Sequence, residues 1–216
     1  MTVIAFIGGT GPEGKGLAYR FALAGHGIVI GSRSRERGET VAGEVAERVS
    51  SATVRGAENA DAAREAELVV LTVPFDAQAA TLPDLRDAVD GKVVVSTAVP
   101  LSFEGGKPAM LAVPEGSAAE QVAALLPGAR VVAAFQNLSA AKLWNEDTLL
   151  DQDVVVCGDD ADAKQQVMAL AEEIRGARAV DGGPLASSRY VEGITALLVN
   201  INRRYKTLAG VRIVGV

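Results

Sequence analysis

Three glycines near the start of the chain have the spacing of a loop that binds a dinucleotide. Gly9, Gly11 and Gly14 fit the pattern G-x-G-x-x-G. In such a loop the first glycine permits a tight turn, the second lets a pyrophosphate approach the backbone, and the third lets the next helix pack close to a strand. Free N–H groups at the start of that helix then face the phosphates. The spacing therefore predicts chemistry on a nucleotide coenzyme.

The segments on either side of the glycines are those that the loop requires. Residues 3–7 form an apolar run, too short for a helix and β-branched at three of five positions, which predicts a strand buried on both faces. Residues 17–23 have the apolar spacing of a helix. This strand–turn–helix context makes the pattern more specific than the glycines alone. The alternative is a glycine-rich turn in some other α/β protein.

The end of the second predicted strand, residues 28–30, indicates which dinucleotide is bound. Sites for NAD carry Asp or Glu at this place, which accepts a hydrogen bond from the ribose 2′-hydroxyl. Here the chain has Ser32 and Arg33, with Arg37 close behind. A carboxylate would repel a 2′-phosphate, whereas a hydroxyl and a guanidinium can bind it. The sequence therefore predicts NADP(H), the alternative being the basic start of a solvated helix over 36–49.

Two further apolar strands, predicted at 68–73 and 92–96, run into prolines. In a doubly wound sheet the carboxyl ends of the strands face the ligand crevice. The residues at and after the ends of these two strands are therefore expected along the path of the coenzyme: Thr72, Pro74, Phe75, Val99, Pro100 and Leu101.

The rest of the chain continues the alternation of strands and helices. Strands are predicted at 52–55, 130–135, 153–157 and 178–180. Helices are predicted at 59–66, with Asn59 or Asp61 as cap, and at 76–89, 117–126, 140–144, 161–174 and 187–205. Ser117 and Glu120 form a candidate capping box. Residues 102–116, rich in glycine and proline, are predicted to be a loop that acts as a flap.

This pattern predicts an α/β fold, a Rossmann-type doubly wound and mostly parallel sheet with a small C-terminal helical part. We expect residues 1–183 to form the NADP-binding domain. Residues 184–216 are expected to form a helical segment that closes the pocket, contacts a second subunit, or does both.

Composition excludes several classes of protein. The 216 residues are 49% hydrophobic and 22% charged, as in ordinary globular proteins. A net charge of −6 argues against a general nucleic-acid binder. No apolar run has the length of a membrane span, and no basic segment precedes the first apolar run as in a signal peptide. We expect a cytoplasmic protein without nucleic-acid or membrane partners.

Other residues that could act as a nucleophile, a base or a metal ligand have simpler interpretations. The single cysteine, Cys157, cannot form an internal disulfide and is expected to be buried at a strand end. The single histidine, His26, lies between two glycines and is expected to be solvated or to cap a helix. The carboxylates at 159, 160 and 162 could bind a metal, but the start of a helix explains them better. No catalytic residue and no metal site is predicted.

With these motifs placed, the chain resembles one family over nearly its whole length. The motifs are Gly8-Gly9-Thr10-Gly11, Ser32-Arg33, Leu71-Thr72-Val73-Pro74, Val156-Cys157-Gly158-Asp159-Asp160 and Gly183-Pro184-Leu185. They resemble the NADPH-dependent oxidoreductases of the 8-hydroxy-5-deazaflavin coenzyme F-420, also written F420. The resemblance implies a Rossmann domain, reversible hydride transfer between NADP(H) and F420, and homodimers.

The resemblance also implies roles for individual positions. It implies that the pyrophosphate is held by Thr10, Gly11, Pro12 and Glu13. It implies that the 2′-phosphate is held by Ser32, Arg33 and Arg37. The path to the nicotinamide would be lined by Phe75, Ala79 and Leu101.

At two places the chain departs from the family pattern. Pro12 and Glu13 stand where Asn-Leu-like residues are expected, and Glu13 brings a carboxylate near phosphates unless it points outward. Gln136 and Asn137 stand where some relatives have a histidine, and they are the candidates for contacts with the coenzymes after the strand at 130–135.

The chemistry itself requires no catalytic triad, because the two coenzymes supply the hydride donor and acceptor. One alternative is another NADPH-dependent reductase, acting on an imine, a small carbonyl compound or a ferric chelate. The other is a non-catalytic NADPH-sensing regulator, which would leave no room above the nicotinamide.

The deazaflavin is strongly anionic, so an acidic protein needs a local basic patch to bind it. The candidate residues are Arg189, Arg203, Arg204, Lys206 and Lys142. The alternative interpretation is a solvated basic helix end.

Overall fold

A computed structural model describes residues 1–216, apart from the side chain of Glu104. Its strands are β1 (Val3–Ile7), β2 (Gly27–Ser32), β3 (Val54–Glu58), β4 (Leu68–Leu71), β5 (Val93–Ser96), β6 (Leu101–Glu104), β7 (Lys107–Met110), β8 (Arg130–Ala133), β9 (Gln152–Gly158) and β10 (Ala177–Asp181). Its α-helices are α1 (Pro12–Leu23), α2 (Arg35–Ala46), α3 (Asn59–Glu65), α4 (Phe75–Thr81), α5 (Arg86–Val89), α6 (Ala118–Leu125), α7 (Ala140–Leu143), α8 (Ala161–Glu172) and α9 (Ser188–Tyr205).

Eight strands form one sheet in the order β3-β2-β1-β4-β5-β8-β9-β10. Neighbours from β3 to β8 are parallel, with Phe6 of β1 opposite Ile30 of β2 on one side and Val70 of β4 on the other. β9 runs antiparallel to β8, and β10 is parallel to β9. The strand order reverses between β1 and β4, the switch point at which such sheets bind ligands. The predicted fold class is confirmed, including the C-terminal helix.

The hydrophobic core occupies both faces of the sheet, because successive strand residues point to opposite sides. On one face, Ile4 and Phe6 belong to a cluster with Leu17 of α1. On the other, Ala5 belongs to a cluster with Val122 of α6. All five side chains are fully buried, which explains the continuous apolar runs in the sequence. None of the described helices is both long and apolar enough to cross a membrane.

The predicted loop over 102–116 is wrong in its first half. β6 and β7 form an antiparallel hairpin, with Leu101 opposite Met110. Gly105 and Gly106 make its two-residue turn, with φ angles of 55° and 78°. Two successive positive φ angles give the turn whose twist matches that of the flanking strands. A Gly-Gly pair between two short segments is a hairpin signal that the loop prediction overlooked.

The C-terminal helix α9 is tied to the start of α6. Ser117 caps α6 as predicted, and its Oγ accepts from Glu120 N at 3.0 Å. Glu192 of α9, only 1% exposed, accepts from Ala118 N at 3.0 Å and Ala119 N at 3.2 Å. Burial raises the pKa of the Glu192 carboxyl to about 7. α9 thus supplies the acceptor for two amides that the first turn of α6 cannot satisfy itself.

The sequence predicts that His26 is solvated or caps a helix: it is not solvated, but its backbone N–H caps the end of α1 by donating to Phe21 O at 3.0 Å. It is 7% exposed, and its Nε2 lies 2.6 Å from the Glu173 carboxylate, while Nδ1 accepts from Thr2 N at 3.3 Å. It precedes β2 at the amino end, and therefore lies at the edge of the sheet opposite the ligand crevice. Cys157, in contrast, is fully buried near the end of β9, as predicted.

The tail that follows α9 is held by the ion pair of Asp153 and Arg178, in which Asp153 is buried and Arg178 is half-buried. Asp153 of β9 accepts from Arg178 of β10 at 2.7 Å and from Ile213 N at 2.5 Å. The Arg178 guanidinium holds the pKa of the Asp153 carboxyl below its ordinary value. Asp153 N also donates to Val211 O at 2.7 Å. The end of the chain is therefore held against the outer strands of the sheet.

Candidate functional site

The glycine loop turns at Gly8 rather than at Gly9, to which the sequence assigned the turn. Gly8 has a φ of 70°, in the left-handed region. Position 9 requires glycine because there is no space for a side chain: a Cβ there would lie 2.5 Å from the carbonyl oxygen of Phe6. Its N–H donates to Phe6 O and to Gly31 O, both at 3.0 Å. Both positions need glycine, for different physical reasons.

The other two glycines have the surroundings that the pattern predicts. A Cβ at Gly11 would meet no described atom within 4 Å, so its backbone is open to a ligand. A Cβ at Gly14 would lie 2.7 Å from both Gly9 Cα and Thr72 Oγ1, so α1 packs directly against the strand ends. The first helical hydrogen bond runs from Lys15 N to Gly11 O at 2.9 Å. The amides before it have no helical acceptor and can bind an anion.

A cavity of about 280 Å³, called here the loop cavity, opens over the glycine loop. Its lining includes seven residues that the sequence predicted for coenzyme binding: Thr10, Gly11, Ser32, Arg33, Arg37, Thr72 and Pro74. Ser32 is buried at the end of β2, while the two arginines are exposed at the mouth. Open backbone amides together with hydroxyls and guanidinium groups suit a phosphorylated nucleotide.

A second cavity of about 480 Å³, the rim cavity, lies at the carboxyl ends of β4 and β5. Its lining includes six residues that the sequence predicted for coenzyme binding, together with Val73, Thr97 and Ala98. The predicted residues that belong to the rim cavity alone are Glu13, Phe75, Val99 and Leu101. Thr72, Val73 and Pro74 line both cavities. A long ligand can therefore pass from the glycine loop to the rim.

Glu13, at the second position of α1, directs its carboxyl group toward this rim. Its Oε1 is buried and has no hydrogen-bond partner among the described residues. Burial raises the pKa of the Glu13 carboxyl to about 8. At neutral pH the group is therefore mostly protonated, and the predicted conflict between a carboxylate and the phosphates does not arise in that state.

The remaining predicted residues lie outside both cavities. Two of them, Gly9 and Gly14, shape the loop from behind. The others are Pro12, Ala79, Pro100, Gln136 and Asn137. Pro12 and Ala79 are exposed, whereas Pro100 is buried and accepts from Leu111 N at 2.7 Å.

Gln136 and Asn137, after β8, are both buried, but among the described residues only the Asn137 side chain has hydrogen-bond partners. Asn137 Nδ2 donates to Val191 O at 3.0 Å and to Thr195 Oγ1 at 2.9 Å, which ties β8 to α9. The amide atoms of Gln136 have no partner among the described residues. Phe135, just before them, has a φ of 72°, unusual for an aromatic residue. The chain therefore turns sharply where the sequence expected ligand contacts.

Several residues of the two cavities were not predicted. In the loop cavity they are Gly8, Asn59, Val73, Ala77 and Thr81, and in the rim cavity they include Ser102 and Leu111 of the hairpin region. Asn59 was predicted as a possible cap of α3, as was Asp61, but the N-cap is Glu58. Asn59 Oδ1 instead accepts from Gly8 N at 3.2 Å. Its place after the third strand was a usable signal, since strand ends meet at the crevice.

The five basic residues proposed as one patch do not form one. Arg189 and Arg203 belong to opposite ends of α9, about 21 Å apart along the helix axis at 1.5 Å per residue. Arg189 pairs with Glu120 at 3.2 Å. Lys142 belongs to α7, which packs on α1. Arg203 lies over the ring of Phe103 at 5.5 Å, so the C-terminal end of α9 adjoins the hairpin.

The candidate carboxylates after β9 have structural partners. Asp160 caps α8 by accepting from Ala163 N at 2.7 Å, and Asp159 accepts from Leu185 N at 2.9 Å. Among the described residues, no group of three or more His, Cys, Asp or Glu side chains could hold a metal ion.

A glycine loop at the switch point of a doubly wound sheet defines a dinucleotide-binding protein of the Rossmann type. Residues 3–100 match the family model described as NADP oxidoreductase coenzyme F420-dependent. The F420-dependent NADP reductase of Methanocaldococcus jannaschii is 43% identical over 217 residues, covering 97% of each chain. That of Methanothermobacter thermautotrophicus is 45% identical, covering 97% of this chain and 94% of the relative. The chain belongs to the family of F420-dependent NADP reductases.

A solved structure agrees with this assignment at the level of the whole fold. A protein from Arthrobacter sp. FB24 superimposes with a TM-score of 0.83 at 27% identity, covering 99% of each chain.

The different surroundings of the glycines predict separable effects of substitution. Gly11→Val should abolish NADP(H) binding while the protein stays folded, because the added side chain meets open space that a pyrophosphate would fill. Gly14→Ala should lower stability instead, because its Cβ has no room beside Gly9 and Thr72. Calorimetric titration with NADPH and urea unfolding measure the two effects. Unchanged NADPH affinity in the first variant would mean that the phosphates bind elsewhere.

Proposed function

We propose that this chain catalyses reversible hydride transfer between NADP(H) and coenzyme F420, so that NADPH and oxidised F420 give NADP and reduced F420. One observation carries the proposal: the loop cavity and the rim cavity meet at Thr72, Val73 and Pro74. A dinucleotide anchored at the glycine loop extends its nicotinamide end to the rim, where a cavity of about 480 Å³ remains for a second ring system. The F420-dependent NADP reductases described above support the identity of both coenzymes.

The protein contributes binding, orientation and exclusion of water. When bound, the nicotinamide supplies the hydride and the deazaflavin accepts it together with one proton. The chain supplies open amides at the start of α1 for the pyrophosphate and a mostly apolar rim, formed by Val73, Phe75, Val99 and Leu101, for the rings. Holding two reacting carbons together is sufficient for a large rate increase. Catalysis is proposed to need no nucleophile, and burial of Cys157 raises the pKa of its thiol to about 11.

The two alternative functions fit this arrangement less well. A regulator that only senses NADPH has no use for a second cavity beyond the nicotinamide end. A reductase of imines, small carbonyl compounds or ferric chelates remains compatible with the fold, but no observation favours it over F420, and His26 lies at the opposite edge of the sheet.

A direct assay tests the proposed reaction. Purified protein mixed with NADPH and oxidised F420 should bleach the visible absorbance of the deazaflavin, and the loss should require both coenzymes. Reduced F420 with NADP should restore the absorbance, because the transfer is proposed to be reversible. Oxidation of NADPH with an imine or a ferric chelate, without any reaction of F420, would contradict the proposal.

Selection of NADP(H) is proposed to depend on Ser32, Arg33 and Arg37 at the mouth of the loop cavity. Arg33→Ala should weaken NADPH binding about tenfold or more, the effect of losing one charged hydrogen bond. NADH binding should barely change, since NADH lacks the 2′-phosphate. Arg35→Ala is the matched control, because Arg35 pairs with Asp61 at 3.1 Å and does not line the cavity. Equal losses for both nucleotides would make Arg33 a structural residue.

We also propose a cytoplasmic location and a two-part organisation. The two parts are a coenzyme-binding domain over 1–183 and a helical segment over 184–216. Location is supported by composition and by a single cysteine that is buried and free. The organisation is supported by α9, which packs on α6 and on β7 of the hairpin beside the rim cavity.

We further propose a homodimer formed through the outer face of α9. Apolar side chains recur on that face at helical spacing, at Tyr190, Ile194, Leu197, Ile201 and Tyr205. Tyr190, Leu197 and Tyr205 are 73%, 57% and 70% exposed in a single chain. A stripe of this size on one helix suits a self-complementary contact with a second copy.

Leu197→Glu should convert the dimer to a monomer, because it places a charge in the middle of this stripe. Leu149→Glu is the control, because the exposed fraction of Leu149, 54%, is similar to that of Leu197, whereas Leu149 precedes β9 and is not part of α9. Light scattering coupled to size-exclusion chromatography measures both masses. If the Leu197 variant remains a dimer and the Leu149 variant does not, the contact is formed by the surface around Leu149 and not by α9.

A further inference from the structure

Glu13 occupies an unusual position between the two cavities. It is the second residue of α1, next to the open backbone of Gly11, yet it lines the rim cavity. Its Oε1 is buried without a hydrogen-bond partner among the described residues, and so is Ser102 Oγ on the hairpin side of the same cavity. Buried polar atoms are normally hydrogen-bonded, so these two indicate a ligand that brings its own polar atoms.

The surroundings of Glu13 favour its neutral form. Burying a carboxylate without a partner is costly, and a buried acid takes up a proton instead. Burial is the cause that raises its pKa to about 8. The charged groups on neighbouring elements do not neutralise it: Lys15 of α1 pairs with Glu44 of α2 at 2.9 Å, Lys142 belongs to α7, and Asp76 of α4 is an exposed carboxylate in the same cavity.

An anionic dinucleotide on the glycine loop would reinforce this preference. A Glu13 carboxylate would repel the pyrophosphate, while a carboxylic acid offers an O–H donor to an oxygen of the ligand. We propose that Glu13 binds NADP(H) as a neutral acid that donates a hydrogen bond to the dinucleotide, so that binding at alkaline pH takes up a proton. The proposal rests on the proposed function only in taking NADP(H) as the ligand of the loop.

The proton balance is simple. Above pH 8 the free protein carries a Glu13 carboxylate, and the complex carries the acid, so one solvent proton enters per dinucleotide bound. Below pH 7 the acid is already present, and no proton is exchanged. Affinity should therefore be constant at neutral pH and fall about tenfold per unit well above pH 8.

Calorimetric titration with NADP at pH 8.5, in two buffers of different ionisation enthalpy, measures the uptake. About 0.8 proton per site is expected for a pKa near 8, and about zero at pH 6.5. The 2′-phosphate of the ligand contributes little at pH 8.5, because the second ionisation of a phosphate monoester has a pKa near 6.

Glu13→Gln keeps the size and a neutral donor but cannot ionise. It should bind NADP at pH 7 about as well as the wild type, take up no proton at pH 8.5, and keep its affinity up to pH 9. Glu36→Gln is the matched control, since Glu36 is also the second residue of its helix, α2, but is exposed. That variant should keep the uptake of the wild type. Thermal unfolding verifies that both variants are folded.

Proton uptake that persists in Glu13→Gln, or affinity that falls with pH as in the wild type, would overturn the proposal. Uptake that appears only after F420 is added would move the hydrogen bond to the deazaflavin and equally overturn the assignment to NADP(H). These readouts use the dinucleotide alone, so a failure of the F420 assay leaves them interpretable, and their failure leaves the F420 assay interpretable.

Discussion

The close contact of α1 with the ends of β1 and β4 determines the rest of the site. The contact exists because Gly9 and Gly14 have no side chains: a Cβ at Gly14 would lie 2.7 Å from both Gly9 Cα and Thr72 Oγ1. Thr72 Oγ1 in turn donates to Ile7 O at 3.1 Å and joins β4 to β1. The helix therefore begins at the switch point of the sheet, where Gly11 lines the loop cavity and Glu13 lines the rim cavity.

Most of the sheet could be predicted from the sequence because the physics is local there. β1, β4 and β5 are buried on both faces, so each appears as a continuous apolar run with a clear end. The residues at those ends could also be predicted, because parallel strands bring their carboxyl ends to one edge. This rule places Ser32, Thr72, Phe75 and Leu101 without any knowledge of their side-chain contacts.

Two of the errors have a common cause, which is a partner distant in sequence. His26 looks solvated between two glycines, but Glu173 lies 147 residues further along the chain and packs against it. Asn59 is of a residue type that often caps helices, but its side-chain Oδ1 accepts a hydrogen bond from Gly8 N, 51 residues earlier in the chain. The hairpin at 101–110 is different, since its Gly-Gly turn was visible, and the prediction failed by giving more weight to its prolines and glycines than to strand pairing.

Charge is distributed in this molecule so that an acidic chain can hold anionic coenzymes. The overall charge is −6, yet two exposed arginines stand at the mouth of the loop cavity. Inside the rim cavity the opposite problem arises, because a Glu13 carboxylate would repel the phosphates of a dinucleotide bound at the glycine loop. Burial removes this conflict without a counter-ion, because the buried side of the carboxyl favours its neutral form. An exposed glutamate at the same helical position, such as Glu36, keeps its water, and only the fold makes the two residues chemically different.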